Sequence, residues 1–324
     1  MNFSPKRIAS FVITFAIALL PLIAFLQRQA IFDYWQLRNY TASSQIVSLA
    51  ERTTMTDEAR RLFYVYHAEL QEKDAFNDSC SITEKSIILG CYVDGQGIYI
   101  YNVTDVRLSG VQEVTAAHEV LHAAYERLND KEQTRINALT SQVIDGLKNQ
   151  RILDSVQAYR ERDSNIVPNE LHSIIGTEVR DIPAELETYY SRYFSDRKVV
   201  VSYSEGYEKA FTEREQKAEQ LIEQIDATKQ DIDERNAALA RVKEELAQEV
   251  NSLESQRANA DPGPFNARVR AYNANVQTYN GQVQQVLGLI EKHNSLINEY
   301  NLVVLEENEL IKAIDSRPET IQQQ

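Results

Sequence analysis

The stretch Val111-Gln112-Glu113-Val114-Thr115-Ala116-Ala117-His118-Glu119-Val120-Leu121-His122-Ala123-Ala124-Tyr125-Glu126-Arg127-Leu128 decides how this chain is read. Its apolar and small residues recur with helical spacing, and no proline or glycine interrupts them. His118 and His122 are four residues apart, so on a helix they project from one face, one turn from each other. Two imidazoles so placed can reach one metal ion. Glu119 is rotated from them but still approaches a water held by that ion. The flanking Thr115, Ala116, Ala117, Ala123 and Ala124 are small and uncharged, as a buried helix under a metal requires. Two histidines on an ordinary surface helix are the alternative, and the apolar flanks count against it.

Zinc acidifies a bound water, and a carboxylate beside it accepts the proton. A His-Glu-x-x-His helix therefore suits amide hydrolysis, with His118 and His122 as ligands, Glu119 as general base and one Zn2+ per chain. The chain resembles the gluzincin branch of the zinc metallopeptidases, and the resemblance implies a third ligand, a glutamate, on a later helix; in thermolysin-like members it lies in an Asn-Glu-x-x-Ser-Asp motif. Here the matching run is Asn169-Glu170-Leu171-His172-Ser173, and the resemblance implies Glu170 as third ligand. The departure is Ile174, where the motif carries an aspartate that orients a ligating histidine; Glu178 or Asp181 could take that place. Glu178 and then His172 are the other candidates for the ligand itself. The resemblance covers about residues 85–195. It implies a zincin-like fold, mostly helical with a small sheet, in which a strand such as Gly97–Val103 edges the cleft and pairs with an extended peptide. Tyr189, Tyr190 and Tyr193 follow the ligand helix and are candidates for stabilising an oxyanion, with core packing as the alternative.

Working outward towards the N-terminus, Ile87–Val93 and Ile98–Val103 are expected strands joined at Asp94-Gly95-Gln96-Gly97. Cys80 and Cys91 are expected to pair as a disulfide if the chain is exported; a thiol metal site and two buried thiols are the other readings. Thr56 opens a helix with Asp57 and Glu58 in its first turn. Residues 29–55 read as a helical stalk. Ile8 to Leu26 is almost continuously apolar, long enough to span a membrane, and Lys6 and Arg7 precede it. The expectation is an uncleaved signal anchor within residues 1–28, N-terminus inside and main domain extracytoplasmic, with a cleaved signal peptide as rival. Phe32, Tyr34 and Trp35 would then sit at the interface or begin the core.

Towards the C-terminus the catalytic domain, residues 56–204, gives way to heptads. Ala218, Ile225, Ile232, Leu239, Leu246 and Leu253 recur every seven residues. After Asp261-Pro262-Gly263-Pro264, one row runs Phe265, Tyr272, Tyr279, Val286, His293, Tyr300 and another Val269, Val276, Val283, Ile290, Ile297, Val304. The expectation for 205–315 is an antiparallel coiled-coil hairpin turning at 261–264, followed by a disordered tail, 316–324. The fold class is thus α+β with an appended helical hairpin.

A net charge of −14 over 324 residues disfavours a nucleic-acid surface. No Gly-rich phosphate loop occurs. The leading expectation is a metalloendopeptidase acting on a peptide or protein substrate. Its rivals are a binding protein on a degenerate peptidase platform, and an envelope scaffold whose hairpin forms homo-oligomers or holds an envelope partner. An intact Glu119 argues against degeneracy, since a structural zinc has no use for a base.

Overall fold

The computed structural model describes Leu19, Pro21 and residues 24–80 and 87–318. The chain is mostly helical with one small three-stranded sheet, an α+β arrangement. It divides into two units. The first comprises the described residues up to Lys209 together with those from Lys312 on, and the second is Ala210–Ile311.

The first unit opens with helices α1 (Arg28–Arg38), α2 (Ser44–Arg52) and α3 (Asp57–Val65). Ser43 and Thr56 cap the latter two through their side-chain oxygens. Strand β1 (Glu69–Gln71), helix α4 (Lys73–Ser79) and strands β2 (Gly90–Val93) and β3 (Gly97–Tyr101) follow. β3 lies in the middle of the sheet, parallel to β1 and antiparallel to β2. Then come α5 (Val111–Glu126), α6 (Asp130–Gly146), α7 (Gln150–Arg162), α8 (Val167–Glu178) and α9 (Ala184–Tyr190). The long α10 (Arg197–Gln256) begins in this unit.

α5 is the centre of the core. Ala116, Ala117, Ala123 and Ala124 are buried, and their short side chains let neighbouring elements pack close. α8 approaches it at Gly176, where an added Cβ would stand 2.4 Å from Leu121 Cδ1. The far end of α8 is closed by Arg197, 3% exposed. Its guanidinium donates to the carbonyls of Val179 at 2.7 Å and Arg180 at 2.8 Å and pairs with Glu187 at 2.6 Å. Carbonyls past a helix end lack intrahelical partners, and a buried arginine supplies them.

Four expectations are corrected. Among the described residues no helix is long and apolar enough to cross a membrane, which overturns the transmembrane signal anchor and the single-pass placement with it. The expected span, 8–26, lies largely outside the described residues. Residues 29–55 are no stalk: Ile46, Leu49 and Ala50 are in the core, and the buried carboxylate of Asp33 pairs with Arg61 and Arg127. Phe32 packs on that core, whereas Tyr34 and Trp35 are exposed. The cleft-side strand is β2 rather than Gly97–Val103, because β1 and β2 cover both edges of β3. The tail expected from 316 begins with a fully buried Ser316; residues 319–324 lie outside the described residues. Cys80, at the end of α4, is disulfide-bonded to Cys91 in β2.

In the second unit α10 continues to Gln256 and α11 (Pro262–Ile314) returns. Pro262 opens α11, and Asp261 Oδ1 accepts from the Gly263 N–H, so the expected turn is already the first turn of the helix. Arg214 pairs with Glu306, Lys217 with Glu299 and Arg268 with Glu249. One number falls as the other rises, so the two helices run antiparallel. In α11 the inward positions Val276, Tyr279, Val283 and Val286 follow the expected rows. Beyond them Leu289 and Leu296 turn inward, and Ile290 is 37% exposed.

Candidate metal centre

His118 and His122 leave α5 side by side, with ring centroids 4.7 Å apart. Glu170 reaches them from the first turn of α8. Its Oε2 lies 3.7 Å from His118 Nε2 and 3.8 Å from His122 Nε2. That oxygen is buried and has no hydrogen-bond partner. Two ligand atoms of a tetrahedral zinc stand about 3.4 Å apart. Three such atoms converging around an orphaned carboxylate oxygen suit a cation, so the residues fit the zinc that the sequence implies. Burial acts to raise the pKa of Glu170. The two imidazoles and Arg162 outweigh it and hold the carboxyl below its usual range.

His122 Nδ1 lies 3.0 Å from Asn169 Oδ1. An amide oxygen only accepts, so this contact calls for the proton on Nδ1, which points Nε2 of the ring towards the metal position beside Glu170. Asn169 is itself held by Glu126, whose Oε1 accepts from Nδ2 at 3.1 Å.

Glu119 stands beside the pair, and its ligand oxygen lies with those of His118 and His122 within 4.8 Å of one another. It is buried, and burial pushes its carboxyl up to about 7, against the pull of His122 and of the Tyr92 backbone N–H and with the push of Glu170. β2 passes directly over it: a Cβ at Gly90 would stand 2.7 Å from Glu119 Oε1 and 2.5 Å from Thr115 Cγ2. Only glycine lets the strand lie this close.

These groups open onto a cleft of about 780 Å³. Residues Ile87–Tyr92 line one wall; Arg151, Ser155, Tyr159 and Arg162 of α7 line another, with Ser204 and Tyr207 of α10. Glu178 also lines it, but its carboxylate is 2.7 Å from Arg151, which holds Glu208 at 2.9 Å as well. His172 faces the opposite side of α8. It is fully buried, its Nε2 is 2.8 Å from the Tyr189 hydroxyl, and burial with the nearby His122 and His118 pushes its pKa down to about 3. Of the three candidate third ligands, Glu170 is the one brought to the histidine nitrogens.

Tyr189, Tyr190 and Tyr193 are buried in the core and line no part of the cleft. The Tyr190 hydroxyl donates to the His172 carbonyl. A tyrosine the sequence did not single out, Tyr159, does face the cleft. Burial, then the charges of Glu170 and Glu119, raise its pKa, so the hydroxyl keeps its proton. No spacing signal marked it, because α7 and α8 meet only through tertiary packing. Asn169 was visible within the quoted motif, without its role.

Comparisons with protein-family models, with curated proteins and with solved structures find no match to this chain.

Proposed function

We propose that this chain is a zinc-dependent metalloendopeptidase of gluzincin type, with a zincin-like catalytic unit and an antiparallel coiled-coil hairpin as its second unit. One observation carries the reading: the buried, unpartnered Glu170 Oε2 lies 3.7 and 3.8 Å from the Nε2 atoms of His118 and His122. His118, His122 and Glu170 would hold the ion. Zinc, when bound, supplies a Lewis acid that acidifies water and polarises a carbonyl. Glu119 takes the proton from the attacking water and delivers it to the leaving amine, an exchange favoured by the burial that raises its carboxyl above the usual carboxylate range. Tyr159 retains its proton and donates to the oxygen of the attacked carbonyl. The 780 Å³ cleft accommodates several residues of an extended peptide.

The test is the zinc content of the purified full chain beside its Glu170→Ala variant, with turnover measured on a peptide library. The reading expects about one zinc per parent chain, much less in the variant, and hydrolysis abolished by a chelator. A metal-supplemented parent without zinc sinks it.

A further inference from the structure

We infer that the segment Asp315–Arg317, which follows the second unit, is a positioning strap for the cleft wall that lies against Glu119; its effect on turnover rests on the peptidase reading, its hold on the wall does not.

The wall is the segment Ile87–Tyr92. Its location matters because it lies directly on the carboxylate: Gly90 leaves no room for a side chain above Glu119, and the Tyr92 N–H acts on the same group. A displacement of the wall by a few tenths of an ångström therefore changes what surrounds the proposed base.

On one side the ladder to β3 holds the wall, extended by Tyr101 N–H donating to the Leu89 carbonyl at 2.8 Å. On the other, Ser316 Oγ donates to the Ile88 carbonyl at 2.5 Å, across 228 residues of sequence. The strap is itself held by α4. Lys73 Nζ donates to the Asp315 carbonyl at 2.9 Å, and Asn77 Nδ2 donates to the Ser316 carbonyl at 3.0 Å. Asp315 and Arg317 close the strap's own turn at 2.8 Å. The same short helix ends at Cys80, whose disulfide holds Cys91 of the wall. One helix thus anchors the wall twice, once covalently and once through the returning segment. Ser316 is fully buried where it meets the wall.

The experiment compares hydrogen exchange, zinc content and peptide turnover in the full-length oxidised parent, Ser316→Ala and Lys73→Met. Loss of one hydrogen bond should speed amide exchange within 87–93 about fivefold. Exchange in 111–126 and zinc content should stay at parent levels, and kcat should fall several-fold with KM little changed. Unchanged exchange at 87–93 in both variants overturns the inference. So does an equal rise across 111–126, which marks general loosening, or parental turnover despite a freed wall. A parent without zinc or turnover defeats the peptidase reading alone, and the exchange comparison then decides whether the strap holds the wall.

Discussion

At the scale of single residues, the site rests on groups whose roles separate by substitution. Glu119→Gln keeps the shape and leaves His118, His122 and Glu170 intact, so zinc content should be unchanged while turnover falls about 10²–10⁴-fold. Parental turnover in that variant would show that Glu119 is not the base. Asn169→Ala removes the acceptor that fixes the His122 tautomer. Zinc affinity should weaken roughly 10–100-fold in a competition titration, without loss of fold. The histidine pair and Glu119 were legible in the sequence because a four-residue spacing on a helix needs no tertiary information. Glu170 was legible through a short motif. Tyr159 was not, since what marks it is burial in the folded cleft and then the charges of Glu170 and Glu119, carboxylates on other helices. Nor was the burial of Tyr189, Tyr190 and Tyr193, which share their sequence neighbourhood with the ligand helix but turn to its far side.

At the scale of elements, most helices were legible from capping and periodicity, and the exceptions have physical causes. β1 is three residues long and too short for any alternation. α2 falls in the stretch that reads as stalk, because nine residues carry little pattern, although Ile46, Leu49 and Ala50 share one buried face. In α11 the inward positions step by three twice in succession, Val283 to Val286 to Leu289, and this shift of phase carries Ile290 out of the seam. Leu289→Ala should therefore destabilise the helix pair by about 1 kcal/mol more than Ile290→Ala, as read from urea unfolding. Equal costs would mean that the unshifted heptad holds. Arg197 joins two elements: it supplies the carbonyls past the end of α8 and fixes the start of α10. Arg197→Met strands those carbonyls and Glu187 together, and should cost about 3 kcal/mol in the same measurement.

At the scale of the whole molecule, the chain forms two units, and the heptads mark that division in the sequence. The boundary moved, from 205 to Lys209 and back again at Lys312, because packing on the first core rather than periodicity decides it. The disulfide belongs to the first unit alone and closes a separation of 11 residues. Reduction should remove about 3 kcal/mol from that unit. Calorimetry should accordingly show two transitions, with a reductant lowering one and leaving the other in place. A single transition that moves as a whole would mean that the units unfold together.

The return of the chain to its first unit at Lys312 has a consequence for biosynthesis. A ribosome delivers the residues proposed to hold and use zinc within the first 170 positions, then the whole second unit, and only afterwards Ser316. A nascent chain at that stage already contains His118, Glu119, His122 and Glu170, while its cleft wall still lacks the bond from Ser316. Synthesis of the second unit therefore separates in time the making of the cleft wall from the making of the segment that holds it.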